Sequence, residues 1–114
     1  MASYNLRYIV INGSSNAAIT NVSVTHECAK VKTPIATAQL GPGEATRSVN
    51  IVTKDGSNDY WSVQFTDGGG TKARSDKQCN LLEKDENQDV VIVLYPANFS
   101  VLTPQSDPCL NNHY

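Results

Sequence analysis

The sequence predicts an all-β chain, a single antiparallel β-sandwich of about seven to nine strands, on three observations. Val, Ile and Thr fill 26 of the 114 positions, against 8 for Leu and Met together. Branching at Cβ restricts rotamers in a helix and suits a pleated, half-buried surface. No window holds apolar residues at the i, i+3, i+4, i+7 spacing of an amphipathic helix, whereas period-two segments bounded by turn residues recur. A chain of 114 residues has room for one core, so residues 1–114 form one domain, without repeat, linker or low-complexity tract.

The first predicted strand, Tyr4 to Asn12, sets Tyr4, Leu6, Tyr8 and Val10 on one face. Its other face carries Asn5, Arg7, Ile9 and Ile11, so its second half is apolar on both sides. Such a strand belongs in the middle of a sheet or at an interface. After Gly13-Ser14-Ser15-Asn16, Ile19 to Cys28 alternates Val22, Val24, His26 and Cys28 against Asn21, Ser23, Thr25 and Glu27. Pro34 interrupts the next stretch and leaves Ile35 to Leu40 as a short edge strand. Gly41-Pro42-Gly43 reverses the chain, and Ala45 to Thr53 forms the fourth strand, with Val49 and Ile51 on one face. Asp55-Gly56 then closes a hairpin onto Asp59 to Thr66, where Trp61, Val63 and Phe65 face in and Tyr60, Ser62, Gln64 and Thr66 face out. Asp67-Gly68-Gly69-Gly70 is a hairpin tip before a polar strand of about five residues from Thr71. Glu83 to Asp89 reads as a solvated charged loop. Val90 to Tyr95 is the most apolar strand, stopped by Pro96, and Phe99 to Leu102 leads into a Pro- and Asn-rich tail.

Charge and composition exclude several classes of function. Nine Lys and Arg against eleven Asp and Glu give a net charge of −2, without the basic surplus that phosphate backbones select, so no nucleic-acid partner is expected. The longest apolar run, Val90–Tyr95, falls far short of the roughly 20 residues of a membrane-spanning helix. The start Met1-Ala2-Ser3-Tyr4 lacks the basic and apolar regions of a signal peptide. The expectation is therefore a cytoplasmic protein, or a secreted one whose signal has been removed. Asn-x-Ser sequons stand at Asn12, Asn21 and Asn98, which in a chain with 11 Asn and 10 Ser is weak evidence for secretion. Of three cysteines, Cys28 ends an apolar strand face and suits a buried thiol. Cys79 and Cys109 are predicted to pair, because the tail after Pro108 would fray unless tied down.

Catalytic and metal signals are sparse. His26 and His113 are the two histidines; His26 shares a face with Val22 and Val24, as a satisfied core histidine does, and His113 lies near the chain end. The His26/Cys28 spacing is a strand coincidence without an orienting third group. No nucleophile elbow, zincin helix or phosphate loop occurs. Asp55-Gly56-Ser57-Asn58-Asp59 alternates oxygen donors as a calcium loop does, but lacks a distal Glu, and reads as a polar turn. No metal or cofactor is called for. The suggestive group is aromatic: Tyr60 faces out if Trp61 faces in, and Asn58, Asp59, Asp55 and Gln64 surround it as candidate ligand-binding residues. An exposed ring beside short polar groups suits stacking on a sugar or lodging among lipid headgroups.

Ala2-Ser3-Tyr4, the apolar strand Tyr8-Ile9-Val10-Ile11-Asn12, the following Gly-Ser and the strand from Ile19 to Thr25 resemble the start of small fungal aegerolysin-type β-sandwich proteins. A related nematode group, up-regulated in long-lived animals, shares that compact acidic plan. The resemblance implies a fungal fruiting-body or defence protein and membrane-lipid recognition, and no family residue is carried over as a site. A looser similarity is to sweet-tasting proteins, which contact a taste receptor. The expected function is a non-enzymatic binding protein whose partner is a carbohydrate, a lipid headgroup or a receptor protein. A homodimer through the two-sided first strand is the competing arrangement.

Overall fold

Two β-sheets face each other across one apolar core in the computed structural model, which describes residues 2–114. The strands are β1 Ser3–Asn12, β2 Ile19–Cys28, β3 Val31–Leu40, β4 Val49–Lys54, β5 Asp59–Asp67, β6 Gly70–Gln78, β7 Asp89–Leu94, β8 Asn98–Leu102 and β9 Cys109–His113. The first sheet has the order β4-β1-β7-β8-β9 and the second β3-β2-β5-β6. This is the expected all-β sandwich, with one departure from an antiparallel plan: β1 runs parallel to β7.

Alternation explains the core. Tyr4, Leu6, Tyr8 and Val10 of β1 meet Val22, Val24 and His26 of β2 and Trp61, Val63 and Phe65 of β5, all buried. Val90, Ile92 and Leu94 complete it from β7, and Phe99 and Val101 from β8. Two polar tips are satisfied within the core, that of Tyr8 across the two layers and that of Trp61 within its own. The Tyr8 hydroxyl donates towards the carbonyls of Val24 (3.1 Å) and Thr33 (2.6 Å), and the Trp61 indole donates to the carbonyl of Cys79 at 3.0 Å. Each ring thus fills the core while its one polar group is satisfied. The Tyr8 and Trp61 rings meet edge to face at 5.3 Å.

Several sequence expectations are corrected. The third strand is ten residues long and contains Pro34. Ala29 and Lys30, both at positive φ, make a two-residue hairpin between Cys28 and Val31. Hydrogen-bonded pairs then alternate from Cys28–Val31, so position 34 turns its backbone away from β2. There the missing N–H of proline costs no ladder bond, because β3 is an edge. The fourth strand begins at Val49, Ala45 making only an isolated bridge to Ile11. Asp55-Gly56 closes no hairpin: β4 pairs with β1 in the first sheet and β5 with β2 and β6 in the second, so the chain arches between sheets. The polar strand after Gly69 extends for nine residues.

The charged segment is not simply solvated. Glu83–Asp85 forms a 3-10 turn, and Asp85 is buried while Glu83, Glu86 and Asp89 are exposed. Its carboxylate accepts the N–H groups of Leu82 (2.9 Å), Gln105 (2.7 Å) and Ser106 (2.9 Å), tying this turn to the loop before β9. Burial alone would raise its pKa; hydrogen bonding from Ser106, Leu82 and Gln105 outweighs that and holds the group below its ordinary 3.8. The tail does not fray either. It forms β9, and a disulfide joins Cys79 to Cys109, as expected, with Cys28 free and buried. That bond links the segment after β6 to the start of β9, so it fastens one open side of the sandwich. Arg74 of β6 reinforces it by donating to the carbonyl of His113 at 3.0 Å.

Candidate functional site

Five residues were singled out by sequence, and the fold separates them into a buried hub, an exposed face and a remote arch. Asp59 belongs to the hub and is corrected as a surface ligand: it is 0% exposed, at an inward position of β5 in phase with Trp61. Its Oδ1 lies 2.7 Å from His26 Nε2, and its Oδ2 accepts the Thr53 hydroxyl (2.8 Å) and the Leu81 N–H (2.9 Å). A carboxylate only accepts, so the hydrogen in the first contact sits on Nε2 of His26. The Cys28 thiol lies 3.7 Å from Thr53 Oγ1, beyond the acid. These groups hold strands of both sheets together, β2 and β5 with β4, and clamp the segment after β6. Nothing in the hub reaches the surface.

The exposed face is the outer side of the second sheet. Tyr60 stands there half-exposed, cross-strand from Glu27 on β2 and Gln78 on β6. Glu27, Tyr60 and Asp76 line a shallow depression of about 240 Å³. Asp76 reaches it through a bulge. The β5–β6 register shifts between Trp61 and Val63, Asp76 takes φ 53°, and its N–H bonds to Ser62 Oγ at 3.0 Å. Asn58 Nδ2 donates to the Tyr60 hydroxyl at 3.3 Å. Asn58 Oδ1 in turn accepts from Asn80 (3.2 Å) and Gln78 (3.4 Å). Among the described residues, neither Glu27 nor Asp76 has a cationic partner within ion-pair distance.

Gln64 lies on the same face but opposite Ser23, further along β5, and does not line the depression. Asp55 is remote, on the arch after β4, where it neighbours Tyr4. There it favours the protonated phenol as hydrogen-bond partner. Burial and the charges of Asp55, Glu83 and Glu86 add to that, and the Tyr4 pKa is pushed up to about 12. Sequence reasoning missed Glu27 and Asp76 as neighbours of Tyr60. Glu27 was already placed on the outward face of β2 and lacked only the β2–β5 register; Asp76 depends on a bulge with no local sign.

Two other surface features compete. A groove of about 550 Å³ lies between the edge strands β3 and β4, floored by Ile35, Leu40 and Val49. Two of its polar side chains fix the adjoining loop, Glu44 by accepting the Gly41 N–H (2.6 Å) and Thr46 Oγ1 by accepting the Val10 N–H of β1 (3.1 Å). The outer face of the first sheet carries an apolar stripe of Ile9, Ile11, Val91, Val93, Leu102 and Leu110 beside polar residues; among these Arg7 and Asp89 are joined at 2.8 Å. No helix among the described residues is long and apolar enough to cross a membrane, and none of their His, Cys, Asp and Glu side chains cluster in threes suited to a metal ion.

No protein-family model matches the chain, and no curated protein matches it. Among solved structures it is similar to the NMR structure of a protein from Eubacterium rectale, at 18% identity and a TM-score of 0.44, over 92% of this chain and 91% of that one.

Proposed function

We propose that this chain is a non-enzymatic binding protein that takes a carbohydrate on the outer face of its second sheet, with Tyr60 as the stacking platform. The observation that carries this reading is the half-exposed Tyr60 ring set between the unpaired carboxylates of Glu27 and Asp76. An aromatic face packs against the C–H face of a pyranose, while carboxylate and amide groups accept and donate to its hydroxyls. Asn58 and Gln78 supply the amides and steady the ring. His26 and Asp59 are sealed in the core and take no part in this site. Arrays of glycans and of lipid headgroups supply candidates; Tyr60→Ala then weakens the selected ligand about tenfold or more, about 1.4 kcal/mol, at nearly unchanged melting temperature. Unaltered affinity in Tyr60→Ala overturns the proposal, and a headgroup hit without a glycan hit moves the same site to lipid, as the aegerolysin-like opening suggests.

A second reading rests on the apolar stripe across the outer face of the first sheet, which suits contact with a protein, either a second copy or a receptor, as in sweet-tasting proteins. Of the exposed large hydrophobic residues, Val52, Leu102 and Leu110 lie on that sheet and Tyr95 just beyond β7. Leu110→Glu dissociates a homodimer held this way, seen by sedimentation equilibrium. A chain that is monomeric before the substitution leaves receptor contact as the form of this reading.

A further inference from the structure

The three Asn-x-Ser sequons take no part in the site, and the fold treats them very differently. Asn12 is fully buried at the end of β1. Its Nδ2 donates to the carbonyls of Ala17 (2.9 Å), Leu40 (3.1 Å) and Gly41 (3.1 Å), while its Oδ1 accepts the Ser14 N–H (2.9 Å). A sugar on that nitrogen would remove a hydrogen from the knot and place a hydrated group where the chain must close. Asn98 is half-buried in β8. The hydroxyl of its sequon, Ser100, is 5% exposed and accepts the Asn111 N–H at 3.2 Å.

Asn21 is the opposite case. The β2–β5 register shifts between Thr20 and Ser23, and Asn21 takes φ 51° within that irregularity. Asparagine tolerates this left-handed conformation better than most residues. Asn21 and Ser23 are both exposed, with buried Val22 between them. The acceptor amide and the hydroxyl of its sequon therefore stand free on one surface while the intervening side chain anchors the strand.

We infer that Asn21 is the N-glycan acceptor of this chain, and that Asn12 and Asn98 are not, when the chain passes through a secretory pathway supplying a lipid-linked oligosaccharide diphosphate. In the transfer, a bond forms between Asn21 Nδ2 and the anomeric carbon, and the bond from that carbon to the diphosphate oxygen breaks. The lipid diphosphate leaves with the electron pair, and the amide gives up one proton. The Cys79–Cys109 bond suits the same oxidising route. Glu27, which flanks Tyr60, is six residues along β2 from Asn21, about 20 Å at strand spacing, so the acceptor lies outside the depression.

The test is secretion of the full chain from a eukaryotic host behind a cleavable signal, with intact mass measured before and after peptide N-glycosidase. One glycan is expected, mapped to Asn21 by its conversion to Asp on release. Ser23→Ala, which removes the sequon hydroxyl and leaves the bulge residue in place, should be secreted without a glycan and melt like the deglycosylated parent. Unmodified Asn21 in the secreted protein, or a glycan on Asn12 or Asn98, overturns the inference.

Discussion

Asp59→Ala should be among the most damaging single substitutions in this chain, although the residue is polar and sits at the mouth of a turn. It strips the acceptor from His26 Nε2, the Thr53 hydroxyl and the Leu81 N–H at once, all in the dry interior. An unsatisfied buried donor costs about 1–3 kcal/mol, with strong non-additivity among three donors inside one network. We therefore expect a loss of about 4 kcal/mol, a large part of the 5–15 kcal/mol typical of a whole domain. Urea unfolding followed by the fluorescence of Trp61 reads it directly, because the His26 ring lies 4.7 Å from the indole. With a slope of about 1.5 kcal/mol/M, the midpoint should fall by 2–3 M. Lys54→Ala, exposed at the end of β4, is the control and should move stability by no more than about 0.5 kcal/mol. A midpoint for Asp59→Ala within about 0.5 M of the parent would refute the hub as the tie between sheets.

Two further outcomes follow from the same packing. The disulfide spans a sequence separation of 30, for which chain entropy gives about 3.6 kcal/mol, so reduction should lower the melting temperature by about 15 °C; an unchanged melt would mean the bond constrains nothing. Tyr4, Tyr8 and Tyr114 all have pKa values raised above 10.0, Tyr4 to about 12, through hydrogen bonding to Asp55 and burial in the first case and through burial in the others. A raised pKa favours the native state below the unfolded value. That contribution is whole below pH 10 and fades as pH rises through 12, so native phenolate absorbance should lag the unfolded chain by three of five tyrosines.

What could be read from sequence was whatever period two alone decides. Ile19–Cys28 has the predicted bounds because its alternation is unbroken and turns flank it. The two-sided apolar half of β1 does lie inside a sheet, between β4 and β7. Trp61, Val63 and Phe65 point inward, and so by the same count must Asp59. Its polar identity argued for the surface, and the periodicity was the better guide. The turn at Asp55-Gly56 shows the limit of local chemistry, since it fixes that the chain reverses but not whether it stays in its sheet. The parallel partner of β1 and the bulge that brings Asp76 beside Tyr60 depend on long-range pairing, which no short window encodes.

The β1–β7 pair also orders how the chain assembles. Arg7 meets Asp89 and Asn12 meets Leu94, so the central seam of the first sheet joins segments 82 residues apart. On a ribosome, β2 and β3 can fold back as soon as they emerge, and β5 and β6 likewise. In the first sheet β1 has only β4 to hold until Asp89–Leu94 has been made. Closing so distant a pair comes late and slowly, because chain entropy is lost before contacts repay it. A nascent or truncated chain ending before Asp89 would carry Ile9 and Ile11 on a strand with a bare edge, the kind of surface that recruits strands from other molecules. The exposure lasts until Asp89–Leu94 arrives to cover that edge.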